Sequence, residues 1–149
     1  MRRRLLTALA VVAVCGGAVV WTVSLRGADA RTSFAGHADQ LCDTYHQAVG
    51  DLGKPSMLAD VPGWAAREKP YARSLAGQLD ALTPPAGEEK DFARFRGLVR
   101  RQLRLLDAES RAGHADDQKA FDRAAAESHR VHTQEGILGK QLGFLVCGR

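Results

Sequence analysis

From Phe34 to Leu142 the apolar residues recur every three or four positions, and no stretch holds the two-residue alternation of a strand. That spacing predicts four helices. The first runs from about Phe34 to Leu52 with Ser33 as its N-cap. Phe34, Leu41, Tyr45, Ala48 and Leu52 fall along one side, Cys42 and Val49 lie at the edge, and Asp39, Asp43 and His46 face away. Pro55 and Pro62 break the pattern between Gly53 and Gly63, leaving room for one short turn. The second helix spans Trp64 to Leu82, with Tyr71, Leu75, Gln78, Leu79 and Leu82 as its buried side. Pro70 falls in its first two turns and either delays the start or bends it.

Thr83-Pro84-Pro85-Ala86-Gly87 is a stop, because consecutive prolines remove backbone donors and restrict the residue before them. The third helix runs from about Glu88 to Ala112. Its acidic start and arginine-rich later turns suit the helix dipole, and Phe92, Phe95, Val99, Leu103 and Leu106 form its apolar face. Gly113 fits the left-handed position that closes it. Asp116 or Asp117 caps a fourth helix reaching Gln141, with Phe121, Ala125, Ser128, His132, Gly139 and Leu142 inward. Four helices with short connections give an all-α, up-down-up-down bundle.

The N-terminus changes the picture of where this bundle resides. Arg2, Arg3 and Arg4 precede an uncharged run of 21 residues, Leu5 to Leu25, the pattern of a secretory signal or a membrane anchor with its start held in the cytoplasm. Ala28-Asp29-Ala30 fits a signal-peptidase site, while the run is also long enough to span a bilayer. Residues 1–30 therefore read as signal peptide or signal anchor, and 31–149 as one helical domain, secreted or held at the outer face of the cytoplasmic membrane. Val14 before Cys15 departs from a lipoprotein signal, which takes a small residue there, and Arg2-Arg3-Arg4-Leu5-Leu6 matches a twin-arginine signal only loosely.

Charge matters less than the net +4 suggests. Without Arg2, Arg3, Arg4, Arg26 and Asp29, the rest of the chain carries 17 basic and 16 acidic side chains, so the balance gives no support to nucleic-acid binding. Cysteine usage matters more. In an alternating bundle the start of the first helix and the end of the fourth share one end, which makes Cys42 and Cys147 neighbours despite 105 positions between them. Outside the cytoplasm two such thiols oxidise, so a disulfide joining the first helix to the C-terminus is expected.

The segments Phe34-x-x-His37-Ala38-Asp39-x-x-Cys42, Leu82-x-Pro84-Pro85 and Leu142-Gly143-x-x-x-Cys147-Gly148 resemble those of a family of small, uncharacterised exported four-helix proteins of actinobacteria. The resemblance covers nearly all of 33–148. It implies a fold and a location and brings no activity with it. Members often look like lipoproteins, a pattern that Val14 departs from.

Candidate chemistry is sparse. His129, His132 and Glu135 follow one another at spacings of three on the fourth helix, where imidazole and carboxylate together suit a transition metal or a proton relay; Ser128 and Gln78 are possible additions. A bundle di-iron site would need Glu-x-x-His on two helices and two further glutamates, which this chain lacks. Arg96, Arg100 and Arg104 form a row at spacings of four beside the apolar face, with Arg94 and Arg101 further around. Such a row suits anionic lipid heads or wall polymers, or else a solvated face paired locally with Asp107 and Glu109. No serine sits in a nucleophile elbow, no glycine-rich phosphate loop is present, and no Cys-x-x-Cys-His haem motif occurs.

The resulting expectation is a non-catalytic extracytoplasmic bundle without a cofactor, acting as an envelope-associated interaction or structural module. Its partner would be an unknown envelope protein or anionic surface, with the N-terminal segment meeting the membrane if it is not cleaved. The alternative is a small-ligand or metal-binding bundle using His132 and Glu135.

Overall fold

A computed structural model of the chain describes residues 29–147, and these are helical throughout apart from their connections, with no strand among them. Helix α1 occupies 29–50. A single 3-10 turn, Leu58–Asp60, leads into α2, Val61–Ala81, followed by α3, Glu89–His114, and α4, Gln118–Gln141. None of the described helices is long and apolar enough to cross a membrane. The segment assigned to export lies outside the described residues except for Asp29 and Ala30, which belong to α1.

Contacts along the helices fix their directions. Asp80 near the end of α2 pairs with Arg96 and Arg100 early in α3, Lys69 pairs with Asp107, and Pro62 at the start of α2 meets Gly113 at the end of α3. α2 and α3 are thus antiparallel. Arg101 of α3 meets Glu127 of α4, while Asp117 just before α4 bonds back to Ala112, so α4 reverses again. α1 runs with α3: its Arg31 bonds Glu88 at 2.7 Å, and Phe34 stacks edge-on against Phe92 with ring centroids 4.9 Å apart.

Several boundaries differ from the periodicity reading. Ser33 is not a cap, because residues 29–32 are already helical and Arg31 is anchored there by Glu88 and by the Gln141 carbonyl. α1 stops at 50, two residues before Leu52. α2 begins at Val61 instead of Trp64, with Pro62 in the first turn, where its missing N–H removes no bond. It also passes through Pro70 unbroken. Pro70 and Ala66, the residue whose carbonyl Pro70 has no N–H to bond, both sit on the exposed face. Gly113 is helical and does not close α3. Asp116 takes the left-handed position (φ 51°), with Asp116 N–H bonding Gly113 O and Asp117 N–H bonding Ala112 O in a Schellman end. Gly113 is small for another reason: a Cβ there would lie 2.8 Å from Pro62 Cδ. Asp117 caps α4 as expected, accepting from Ala120 N–H at 2.9 Å.

The inward faces are also rotated from those expected. α2 buries Val61, Ala65, Glu68, Ala72, Leu75 and Leu79, while Tyr71 and Gln78 are exposed. α4 buries Ala124, Val131, Glu135, Leu138 and Gly139; Phe121, Ala125 and Ser128 are half-buried and His132 is exposed. On α3, Phe92, Phe95 and Leu106 are buried as expected, and Val99 and Leu103 partly so.

The core divides along the bundle. At the end holding the start of α1, Phe34, Phe92, Phe95 and Phe144 pack edge to face, with the Phe95 and Phe144 centroids 5.3 Å apart, and Leu79, Leu138 and Leu142 fill around them. Phe144 gets there through a second Schellman end: Gly143 (φ 80°) donates to Lys140 O and Phe144 to Gly139 O, which turns the chain back along α1.

Asp39, expected to face away, receives this returning segment. Its carboxylate accepts from Leu145, Val146 and Cys147 N–H at 2.8, 2.7 and 3.1 Å. Three successive backbone N–H donors beyond the end of α4 are satisfied by one charged acceptor. The last of these residues, Cys147, also joins Cys42 in a disulfide, with Cα atoms 5.2 Å apart. Gly139 has no room for a side chain, since the Cys147 carbonyl lies against its Cα.

Replacing both cysteines by alanine should lower stability by about 4 kcal/mol in the chain-entropy limit, read from the shift in urea midpoint. Gly139→Ala must push the C-terminal turn off α4, so its loss of about 2 kcal/mol or more should come with slower disulfide closure in refolding followed by thiol trapping.

Candidate functional site

Above the disulfide the bundle is under-filled. The inward residues of α2 from 61 to 72 are Val, Ala, Glu and Ala, and only from Leu75 onward do leucines take over. The space left is a cleft of about 610 Å³. Cys42 and Cys147 line it together with Leu75 and Phe95. Val49, Ala72, Val99, Leu103 and Leu106 supply its apolar walls, and His46, Gly50, Gly53, Lys54 and His132 lie at exposed positions around it. Trp64 holds the rim in place by donating its indole N–H to Gly53 O at 2.8 Å.

The volume is that of a small-molecule pocket, and the lining is mostly apolar with a few polar groups converging. Those groups are three glutamates, one from each of α2, α3 and α4, and a tyrosine from α1. Tyr45 Oη donates to Glu68 Oε1 at 2.5 Å. Glu68 is 7% exposed and its other oxygen has no partner within the protein. Glu135 is 9% exposed; its Oε2 lies 3.7 Å from His132 Nδ1, and its Oε1 is likewise unpartnered. Opposite, Ser128 Oγ donates to Gln102 Oε1, and Gln102 Nε2 donates to the Ser128 carbonyl, both at 3.1 Å.

Burial dominates the electrostatics. Desolvation pushes the Glu135 carboxyl up to about 7. Glu68 is raised by desolvation, against the lowering effect of the Tyr45 hydrogen bond. Glu109 is raised by desolvation and by the Glu68 charge, opposed by Ser128. The Tyr45 hydroxyl is raised by desolvation first, then by Glu68 and Glu135, and stays protonated as a donor. Each carboxylate thus sits where a negative charge is poorly solvated.

Of the residues singled out in the sequence, His132 and Glu135 do meet, at the edge of this cleft. His129 does not join them: it is exposed, and its carbonyl accepts from Thr133. Gln78 bonds Ser74 on the outer face of α2. Among the described residues no three His, Cys, Asp or Glu side chains converge in a way that could hold a metal ion. The arginine row is drawn into structure by an acid on the neighbouring helix. Arg100 bonds Asp80 at 2.6 Å, and Arg96 lies 3.6 Å from the same carboxylate while covering the Phe92 ring at 4.9 Å. Arg104 is exposed. Asp107 pairs with Lys69, and Glu109 turns to the cleft, so neither is the local partner expected.

Sequence reasoning missed Tyr45, Glu68 and Glu109 as site residues. The signal for Glu68 was present: Val61, Ala65, Glu68, Ala72, Leu75 and Leu79 follow one 3-4 stripe, with an acid where an apolar residue belongs. Bulky Tyr71 and Leu82 outweighed the alanines. No family model, curated protein or solved structure matches the chain.

The raised Glu135 value makes stability fall with pH in a fixed window. The folded protein holds this proton more tightly than the unfolded chain, so the contribution is complete below about pH 4.5 and drains away as pH rises to about 7. Glu135→Gln keeps the shape without the charge. Urea denaturation should find the variant close to the parent near pH 4.5 and more stable by up to about 3 kcal/mol near pH 8; parallel pH curves would contradict the assignment.

Proposed function

We infer that this protein is a non-catalytic, extracytoplasmic helical bundle of up-down-up-down topology whose cleft binds a small, largely apolar molecule. Among the two classes suggested by the sequence, this reading favours the ligand-binding bundle over a purely structural module. One observation carries it: a cleft of about 610 Å³ walled by Val49, Leu75, Val99, Leu103 and Leu106 and lined also by two nearly buried carboxyl groups, Glu68 and Glu135, each with one oxygen lacking a protein partner. A purely structural bundle gains nothing from such groups, because filling the space with leucine would remove both the void and the desolvation penalty.

Glu135 keeps its place in this reading and His132 becomes a rim residue beside it. A metal is not part of it, since apolar walls and a lone His–Glu contact are a poor match to any divalent ion. Export is supported by the basic, then uncharged N-terminus and by the disulfide, which an oxidising compartment maintains. Arg96 and Arg100 neutralise Asp80, which leaves Arg104 as the exposed member of the row and weakens the case for an anionic surface as partner.

Nile red, an uncharged reporter of apolar pockets, tests the reading with the disulfide-bonded protein. It should bind one-to-one with a blue-shifted emission, and Val99→Trp, which fills the cleft from its α3 wall, should weaken binding by about tenfold while leaving thermal unfolding and the disulfide intact. Absence of binding, or binding indifferent to Val99→Trp, would overturn it.

A further inference from the structure

The polar groups of the cleft narrow the kind of molecule it takes. Every helix contributes a titratable group to it: Tyr45 and His46 from α1, Glu68 from α2, Glu109 from α3, and His132 and Glu135 from α4, with Lys54 entering from the loop after α1. Three of these are carboxylates, and the two most deeply buried, Glu68 and Glu135, both act on the Tyr45 hydroxyl. Both acids therefore lie within electrostatic reach of Tyr45 in the wall of the cleft. Lys54 and His132 stay exposed. Glu68 Oε2 and Glu135 Oε1 are buried acceptors without a donor inside the protein.

Three ligand classes can be compared on these facts. An anionic amphiphile would bring its charge against Glu68, Glu109 and Glu135 in a site of low dielectric, where like charges repel most. A neutral alcohol offers one donor to two orphan oxygens. An ammonium group offers three donors and the opposite charge, and charge-assisted bonds to carboxylates are about twice as strong as neutral ones. The aromatic surface supplied by Tyr45, Trp64 and Phe95 adds walls of the kind that tolerate a cation.

We propose that the cleft selects organic amines: an apolar body lies along Val49, Val99, Leu103 and Leu106, and a protonated amino group is held by the carboxylates of Glu68 and Glu135, which line it. The assignment rests on the ligand-binding reading above and deepens it. Binding is linked to protons, because the carboxyls must ionise to receive the ammonium. Burial holds Glu135 protonated up to about 7, so a bound amine displaces its proton, and affinity rises as pH passes upward through that region. An alkylammonium remains charged throughout, since free amines of this kind titrate near ~10.4, as lysine does.

Isothermal titration of the full, disulfide-bonded chain with octylamine, 1-octanol and octanoate, each below its aggregation concentration, separates the classes. At about pH 8 octylamine should bind about tenfold or more tighter than octanol, with octanoate weakest, and its affinity should fall about tenfold by about pH 5.5 while that of octanol stays level. Glu135→Gln should erase most of the amine preference without weakening octanol, and Glu68→Gln should act in the same direction, so that one folded variant suffices. Equal affinity for octylamine and octanol, or an amine preference untouched by both variants, overturns the amine assignment and leaves the apolar site standing. Failure of all three probes to bind, or binding insensitive to Val99→Trp, takes the apolar site down as well.

Discussion

The docking of the C-terminal turn onto α1 holds the rest of the structure in place. Asp39 gathers three consecutive backbone N–H groups from residues 145–147, and the Cys42–Cys147 disulfide closes the chain one helical turn along the same face. These two contacts bring the end of α4 against α1, so the first and last helices meet. In a chain of this size a core alone leaves a narrow stability margin, and a covalent link spanning 105 residues acts on the unfolded ensemble as much as on the fold. The same turn delivers Phe144 into the aromatic cluster, so one short segment serves as cap, staple and core.

That arrangement splits the molecule into a filled end and an open one. Below the disulfide, phenylalanines and leucines pack edge to face and exclude water. Above it, alanines and Glu68 on α2 face Val99, Leu103 and Leu106 across a space that no side chain occupies. Buried carboxyls there raise the free energy of the charged state and are tolerable because the packed half supplies the rigidity. Stability and binding are thus assigned to different halves of one bundle, with the disulfide lying at their boundary.

Surface charges serve the same economy. Asp80 draws Arg96 and Arg100 to the α2–α3 seam, Lys69 and Asp107 pair across the same seam further along, and Glu127 bridges Arg101 and Arg130 at the α3–α4 seam. Each exposed pair contributes little by itself, yet together they set the register in which neighbouring helices meet. A row of arginines that looks like a binding surface in one dimension becomes a seam once a second helix supplies the acid.

The sequence by itself determined the number of helices, the stop at Pro84-Pro85, a cap at Asp116 or Asp117 and the pairing of Cys42 with Cys147, because these depend on local backbone chemistry and on the parity of four alternating elements. Tertiary structure decided which stripe of each helix faces inward. A helix with alanines on one side and a tyrosine on another can be turned either way by a periodicity argument, and only packing shows that α2 turns Ala65, Glu68 and Ala72 to the centre and leaves Tyr71 outside. The cleft follows from that rotation alone. So do the raised carboxyls and the fate of the arginine row, since burial and charge pairing are properties of neighbours that lie far apart along the chain.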